Sequence, residues 1–261
     1  LAARKMGITL IHLEAGLRSG ERDLPEEVNR RAIDAISDIL WAPDEATAAR
    51  LRLEGHGADA VRAVGNAMVD TQMRHLPAAR AKRLPRGLSR GGYGLVTLHR
   101  ASNVDQPERF IALLDALSAA SRHLPLLWPI HPRAAAQMKA FGFVPPNGVR
   151  IMPPLGYLEF LSLLCRARLV ATDSGGVQEE ATALGLPCLT LRGATERPIT
   201  ITAGMNRLTS PEELPQRVTE ILLAPAQVLR PIPLWDGRAG IRMREHLQQV
   251  LEGEECRAMV A

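Results

Sequence analysis

The sharpest candidate for chemistry is a glycine turn between an apolar run and a polar, helix-like stretch. Residues 170–181 read Val-Ala-Thr-Asp-Ser-Gly-Gly-Val-Gln-Glu-Glu-Ala. A strand that ends at Ser174, Gly175 and Gly176 and opens a helix presents backbone N–H groups and the positive end of the helix dipole to an anion. The pattern predicts a phosphate site. A plain helix cap by Ser174 or Asp173 is the structural alternative.

Charged side chains accompany this turn. Glu179 and Glu180 fall in the first turns of the predicted helix, where successive side chains point about 100° apart, so only one faces the phosphate. A carboxylate there suits the vicinal hydroxyls of a ribose, and periodicity leaves open which residue supplies it. Arg197, in the loop after the next predicted strand, can clamp a phosphate or form a surface ion pair.

Histidines follow two further predicted strands. His99 and Arg100 come directly after one strand, and His131 comes after the next. A histidine at this edge can donate to phosphate or exchange a proton near neutral pH. A structural hydrogen bond within its own loop is the alternative for each. The spacing of these residues does not support a zinc site.

The first part of the chain carries candidate acid and base groups. Glu14 follows an apolar run, Arg18 lies four residues later, and Pro25-Glu26-Glu27 opens a helical pattern. Carboxylates at these positions suit proton transfer. For Glu26 and Glu27 the alternative is a simple favourable interaction with the helix dipole.

The elements that must position these residues alternate between short apolar runs and amphipathic stretches, which predicts a doubly wound α/β domain with a parallel sheet. The predicted strands of this domain are 94–98, 126–130, 149–152, 169–172, 187–191 and 206–208, and its clearest helices are 107–122, 157–165 and 176–184. Before it we predict a strand over 8–13, a helix over 26–39, a helix from Asp44 to residue 53 and a second strand over 60–64. The predicted organisation is part of a first domain (1–76), a linker (77–92), a nucleotide-binding domain (93–235) and a C-terminal helix that crosses back (236–261).

Composition excludes several classes. The 261 residues are 46% hydrophobic with a net charge of +4 and 3% aromatic residues. The lack of a basic block and of stacking platforms argues against nucleic-acid binding. The lack of an apolar run near the ~20 residues that cross a bilayer argues against membrane insertion. Cys165, Cys188 and Cys256 form no C-x-x-C pair, so neither a disulfide framework nor zinc is expected, and a reducing, cytoplasmic location fits best.

Taken in order, six motifs resemble the non-hydrolysing UDP-N-acetylglucosamine 2-epimerases. They are His12-Leu-Glu-Ala-Gly-Leu-Arg18, Pro25-Glu-Glu-Val-Asn-Arg30, Val96-Thr-Leu-His-Arg100, Pro129-Ile-His131, Thr172-Asp-Ser-Gly-Gly-Val-Gln-Glu-Glu-Ala181 and Glu196-Arg-Pro198. The resemblance runs over nearly the whole chain. It implies a GT-B-like architecture of two Rossmann-like domains with substrate in the cleft, here with the first domain truncated.

The resemblance also implies the activity and the site. The family interconverts UDP-GlcNAc and UDP-ManNAc by eliminating UDP to 2-acetamidoglucal and adding it back, without metal or nicotinamide, usually as a homodimer in polysaccharide biosynthesis. The positions that match its catalytic residues are Glu14, Glu26 and His99. The positions that match or accompany its substrate contacts are Arg18, Arg100, His131, Phe160, Ser174, Gly175, Gly176, Glu180 and Arg197.

Three alternatives stay open from the sequence. About a hundred residues that family members carry at the front have no counterpart here, so we expect this polypeptide alone to leave the cleft incomplete, as a non-catalytic UDP-sugar-binding fragment would. A GT-B glycosyltransferase would share the fold and nucleotide site but would leave Glu14 and Glu26 unexplained. A related epimerase could release its sugar by hydrolysis or act on a diacetamido uronic acid.

Overall fold

The chain is an α/β protein with two parallel sheets in this computed structural model, which describes residues 1–21, 24–225 and 231–260, with side chains as far as Glu252. The strands are β1 (Ile11–Leu13), β2 (Ile39–Ala42), β3 (Val61–Ala63), β4 (Gly94–Thr97), β5 (Leu126–Pro129), β6 (Val149–Met152), β7 (Leu169–Thr172), β8 (Cys188–Thr190) and β9 (Asn206–Leu208). The helices are α1 (Ala2–Lys5), α2 (Pro25–Ile36), α3 (Glu45–Leu53), α4 (Ala67–Ala81), α5 (Ala101–Val104), α6 (Pro107–Ser121), α7 (Pro132–Phe141), α8 (Tyr157–Leu164), α9 (Gly175–Ala183), α10 (Ile199–Thr202), α11 (Leu214–Leu223) and α12 (Ala239–Val260).

Residues 1–74 and 231–261 form one compact unit, called the first unit below. Its sheet has the order β1-β2-β3, and all its pairs are parallel. Leu40 of β2 and Leu51 of α3 meet in a buried cluster, because α3 covers one face of this small sheet. The Asp44 side chain accepts a hydrogen bond from Thr47 N at 2.7 Å, which caps α3 as its sequence predicts.

Helix α12 belongs to the first unit and is held there by polar contacts. The Asp70 carboxylate accepts hydrogen bonds from the backbone N–H groups of Ala239 and Gly240 at 3.1 and 2.8 Å. Further along, Trp41 Nε1 donates to His246 Nδ1 at 3.0 Å. These contacts fix the start and the middle of the helix against the rest of the unit.

Residues 75–230 form the second unit, whose six-stranded parallel sheet has the order β6-β5-β4-β7-β8-β9. The chain builds outward from β4 to β6 and then returns to place β7 beside β4. This reversal makes the carboxyl edge between β4 and β7 the topological switch point, where open α/β sheets bind ligands. Apolar clusters cover both faces, with Val96 in one cluster and Leu95 in the other, as a buried parallel sheet requires.

The structure differs from the predicted elements near their ends. Helix α2 ends at Ile36 and not at residue 39, because the buried run Ile39–Ala42 forms the unpredicted strand β2. Helix α4 was not predicted, and it continues through Pro77 to Ala81, so the first residues of the predicted linker are helical. The final helix begins at Ala239, inside the predicted C-terminal stretch 236–261.

Some predictions fall outside the described residues. These are residues 22–23 of the predicted first domain, residues 226–230 of the predicted nucleotide-binding domain, the Cys256 side chain and Ala261. In the part of the chain that the structure describes, no helix combines the length and the apolar character that spanning a bilayer requires. Cys165 and Cys188 are free thiols.

Phe110 allows a test of the second unit's core. Its ring is fully buried in α6, edge-on to Trp128 and tilted against Phe143, with centroids 6.5 and 5.9 Å away. Phe110→Ala should lower the free energy of unfolding by about 3–5 kcal/mol, since it removes a buried ring and leaves a cavity. Urea titration followed by tryptophan fluorescence measures this. Val144→Ala, at a side chain 78% exposed, should change it by about 0.5 kcal/mol or less.

Candidate functional site

The buried carboxylate of Asp173 organises the carboxyl edge of the second unit's sheet. Thr97 of β4 pairs in register with Thr172 of β7, and Asp173 follows at once. Its carboxylate accepts hydrogen bonds from the backbone N–H groups of His99 and Arg100 and from Asn103 Nδ2, all at 3.0–3.2 Å. Asp173 therefore fixes the loop after β4 against the loop after β7.

His99 lies beside this carboxylate, with its Nδ1 2.9 Å from Asp173 Oδ1. Burial raises the pKa of Asp173, but the hydrogen bonds from His99, Arg100 and Asn103 outweigh it and hold that pKa below its ordinary value. An ionised partner at Nδ1 favours the imidazole form that carries a proton there, which directs Nε2 away from Asp173. A ring held in this way is suited to hydrogen bonding or proton exchange.

The structure also brings His131 to this edge. The rings of His99 and His131 are tilted against each other with centroids 5.3 Å apart. His131 is the N-cap of α7, and its Nδ1 accepts a hydrogen bond from Arg133 N at 3.1 Å. The two histidines therefore lie together at one sheet edge, as the sequence predicts. His131 also makes the structural hydrogen bond within its own loop that was the alternative to a functional role.

The glycine turn lies against Arg197. Helix α9 begins at Gly175 with Ser174 as N-cap, and the Ser174 side chain makes no capping bond among the described residues. A Cβ added at Gly175 would lie 2.5 Å from Arg197 Nη1 and 2.7 Å from Glu196 Oε1. The absence of a side chain at Gly175 therefore lets the guanidinium approach the first turn of α9.

The adjacent glutamates Glu179 and Glu180 have separate partners. Glu179 Oε2 lies 2.8 Å from Arg197 Nε. Glu180 is 5% exposed and interacts with the Tyr157 hydroxyl at the start of α8, the helix that also carries Phe160. Burial raises the pKa of Glu180, and the Tyr157 hydrogen bond opposes that rise. Glu180, which the resemblance assigns to the ribose, is therefore the glutamate that points towards Tyr157.

Glu196 connects three arginines at this site. Its carboxylate lies 2.9 Å from Arg192 Nη2 and 3.6 Å from Arg100 Nη2, and it also pairs with Arg197. Burial raises the pKa of Glu196, but Arg197 and Arg192 dominate and lower it to about 2. The carboxylate is therefore ionised at neutral pH and holds the guanidinium groups near the turn.

In the first unit, Glu14 occupies a strained turn after β1. Its φ is +63°, in the left-handed region that costs a non-glycine residue about 1–2 kcal/mol. Glu14 is half-buried, and Glu26 is exposed in the first turn of α2. Such strain at a residue with reactive chemistry is typical of functional sites.

Glu27 differs from its neighbour Glu26. Its buried carboxylate accepts hydrogen bonds from Ser19 N at 3.0 Å, Ser19 Oγ at 3.2 Å and Arg30 Nη1 at 3.0 Å. Burial raises the pKa of Glu27, and the bonds from Ser19 and the charge of Arg30 bring it below its ordinary value. Glu27 thus closes the loop onto α2, while Glu26 points away from these contacts.

Arg18 is engaged within the protein. It is buried, with Nη2 2.6 Å from both Asp34 Oδ2 and Glu54 Oε2, and Nη1 donating to Leu17 O at 2.9 Å. These contacts give Arg18 a structural role within the first unit. Its contact with substrate stays a prediction.

From the sequence, Asp173 is predicted only as a possible helix cap. Three further residues near the site are not predicted as site residues at all: Asn103, Tyr157 and Glu196. Asp173 stands next to the glycine turn, so its place in that motif was a usable signal. Asn103 and Tyr157 carry no local signal, because their roles depend on which strands become neighbours. In the described part of the chain, no group of three His, Cys, Asp or Glu side chains is arranged to hold a metal ion.

Comparison with known proteins identifies the family. The UDP-N-acetylglucosamine 2-epimerase family matches residues 1–248. A UDP-N-acetylglucosamine 2-epimerase of Methanococcus maripaludis is 39% identical over 235 residues, covering 85% of this chain and 64% of that protein. A UDP-2,3-diacetamido-2,3-dideoxy-D-glucuronate 2-epimerase of Pseudomonas aeruginosa is 40% identical over 212 residues, covering 80% of this chain and 58% of that protein.

A solved structure agrees with these matches. The UDP-GlcNAc 2-epimerase of Methanocaldococcus jannaschii, in complex with UDP-GlcNAc and UDP, superposes with a TM-score of 0.85 at 37% identity, covering 95% of this chain and 71% of that one. The chain belongs to the UDP-N-acetylglucosamine 2-epimerase family, a family of isomerases with a GT-B-like fold, as the six motifs predict. These matches do not favour the glycosyltransferase alternative. The chain spans less than two thirds of the length of the two curated relatives above.

The charge of Glu196 predicts a pH dependence of stability. Its pKa in the folded state, about 2, lies below the ordinary value of 4.5, so its stabilising contribution is present above pH 4.5 and is lost as the pH falls towards 2. The loss between pH 6 and pH 4 should be about 1 kcal/mol. Glu196→Gln should therefore show a shallower fall in unfolding free energy over this range. Urea titrations at both pH values measure it, and parallel curves for both proteins would contradict the assignment.

Proposed function

We propose that this chain acts in the reversible C2 epimerisation of UDP-GlcNAc and UDP-ManNAc, by elimination of UDP to 2-acetamidoglucal and readdition. The observation that carries the proposal is the family match over residues 1–248. The geometry of the candidate site supports it, because a glycine turn, an arginine and two histidines meet at one edge of the second unit's sheet.

The second unit is proposed to bind the nucleotide diphosphate. The N–H groups at the start of α9 and the guanidinium of Arg197 offer donors to phosphate oxygens. Arg100 and His131 lie at the same edge and would add donors. Glu180 would accept from the ribose hydroxyls, and Phe160 would contact the uracil. Diphosphate is the leaving group of the elimination, so donors that stabilise its departing charge lower the barrier.

The elimination and its reversal define what the proton-transfer groups must do. A base takes the proton from C2, the C2–H electron pair forms the C1=C2 double bond, and the C1–O bond breaks to release UDP with its electron pair. In the reverse direction UDP oxygen attacks C1 and a proton returns to C2. Epimerisation requires that the returning proton reach the opposite face from the one it left.

Two different groups are therefore needed on the two faces of C2. Glu14 and Glu26 are proposed as this pair, since a single carboxylate on one face would return the proton with retention. His99, held by Asp173, is proposed to act on the departing diphosphate as a hydrogen-bond or proton donor.

The preference for N-acetylglucosamine is a proposal of its own. The family description and the Methanococcus relative favour it, whereas the Pseudomonas relative of similar identity acts, by its name, on a diacetamido uronate. Assaying both UDP-sugars side by side decides between them.

The setting is proposed on the same basis. A homodimer that serves polysaccharide biosynthesis is what the resemblance implies, and the free thiols Cys165 and Cys188 fit a reducing compartment such as the cytoplasm. Sedimentation of the purified chain tests the homodimer.

The direct test of the reaction is proton exchange at C2. The purified protein is incubated with UDP-GlcNAc in D2O and followed by NMR. Deuterium at C2 with both UDP-sugars present would support the proposed reaction and would overturn the expectation that this polypeptide alone leaves the cleft incomplete. Transfer of the sugar without C2 deuteration would support a glycosyltransferase, and free ManNAc with UDP would indicate a hydrolysing enzyme. UDP binding without exchange would contradict catalysis by this chain and leave a nucleotide-binding one.

Gly175 tests the nucleotide site separately. Gly175→Ala places a methyl group where the Arg197 guanidinium and Glu196 now lie. We expect UDP affinity, measured by titration calorimetry, to fall about tenfold or more, or about 1.4 kcal/mol. Gly193→Ala is the matched control, because a Cβ there has no described atom within 4 Å. Equal affinities of the two variants would contradict the proposed diphosphate site.

His99 tests the chemical step. His99→Asn should lower the rate of C2 exchange by about 10² to 10⁴, the usual contribution of a positioned acid or base. The matched control is His123→Asn, at an exposed histidine just after α6, which should exchange at the unmodified rate. A His99 variant with full exchange would remove His99 from the mechanism.

A further inference from the structure

Asp34 is a buried carboxylate in the first unit that the proposed mechanism does not use. It lies in the last turns of α2 and is 1% exposed. Its Oδ1 lies 2.6 Å from His12 Nδ1, while its Oδ2 accepts from Gly16 N at 3.2 Å and lies 2.6 Å from Arg18 Nη2. One carboxylate thus contacts three residues of the segment 12–18.

These contacts stand on both sides of Glu14. His12 precedes it by two residues, and Gly16 and Arg18 follow by two and four. Between them, Ala15 N donates to Trp41 O at 3.1 Å, which ties the segment to β2. A left-handed residue persists only where its surroundings determine the backbone on either side. Asp34 provides such a constraint for Glu14.

The place of Asp34 in the chain adds a second consequence. It belongs to the same helix whose first turn carries Glu26. An α-helix of 12 residues is a stiff spacer, so a carboxylate near its end that grips the Glu14 turn also sets Glu14 relative to Glu26. Burial raises the pKa of Asp34, but the contacts with His12 and Arg18 outweigh this effect and keep the pKa below its ordinary value. Asp34 therefore holds the segment as an ionised carboxylate.

We propose that Asp34 is a positioning residue for the Glu14 and Glu26 pair. It holds the Glu14 turn in its left-handed conformation and fixes that turn against α2, the helix that carries Glu26. This inference rests on the proposed function for its catalytic consequence. It predicts that loss of the Asp34 charge harms proton transfer more than substrate binding.

The test compares Asp34→Asn with Asp38→Asn. Asp38 is also an aspartate beside β1, but it accepts a hydrogen bond from Leu10 N at 2.9 Å and pairs with Arg4, at the opposite end of the strand from the Glu14 turn. Asp34→Asn keeps the shape of the side chain and removes its charge. We expect kcat for C2 exchange to fall about 10- to 100-fold with KM within about threefold, as for a misplaced reactive group. Asp38→Asn should leave both unchanged.

Amide hydrogen exchange provides a readout that does not depend on activity. Asp34→Asn should speed exchange of residues 14–18 by about tenfold or more, while residues 39–42 of β2 stay protected. His12→Asn removes only one of the three contacts and should shift the same amides less, which guards against a variant that fails to fold.

The outcomes separate the two proposals. If the unmodified chain shows no C2 exchange, the proposed function fails, and the amide data alone decide the positioning role. Unchanged protection of residues 14–18 in Asp34→Asn overturns that role. If the unmodified chain is active, an unchanged kcat in Asp34→Asn also overturns the positioning role. If Asp38→Asn loses as much kcat and amide protection as Asp34→Asn, then Asp34 is only a general stabilising residue.

Discussion

The parallel pairing of β4 with β7 is the constraint on which the second unit's site depends. It brings together the ends of two strands that are 75 residues apart in the chain, and it buries Asp173 between them. A carboxylate taken from water is stable only when its oxygens are satisfied. The donors available are the backbone and side chains of the facing loop, so satisfying Asp173 also places His99 and Arg100.

In the first unit the buried carboxylates lie on a helix, whereas Asp173 of the second unit follows a strand. Asp34 and Glu27 are buried carboxylates on α2, and both accept hydrogen bonds from the segment between β1 and α2. In each unit a buried acid orders a loop, and a more accessible residue on that loop, His99 or Glu14, is the one proposed to react. Glu26 and Glu27, adjacent in sequence, differ in burial because only Glu27 contacts this segment, through Ser19.

Much of this arrangement was accessible from sequence. The strand at 149–152, the strand at 169–172 and the Asp44 cap are where the local pattern predicts them, since apolar runs and caps are local signals. The strand Ile39–Ala42 was missed because four apolar residues after a helix look like its continuation. The contacts of Asp34 with Gly16, and of Tyr157 with Glu180, depend on tertiary pairing, which no single-sequence pattern encodes. The functional roles proposed for the site residues come from the ordered motifs.

The clustering of Arg100, Arg192 and Arg197 around Glu196 and Glu179 has a consequence for how a ligand arrives. The two carboxylates neutralise most of the charge of the three guanidinium groups, so the field of the cluster in solvent is weak and falls off within about a Debye length. A polyanion that binds at this proposed site would exchange ionic partners at contact and would gain little from long-range attraction. Capture should therefore vary little with ionic strength, and small monoanions, which offer too few acceptors to replace a buried carboxylate, should compete poorly for the site.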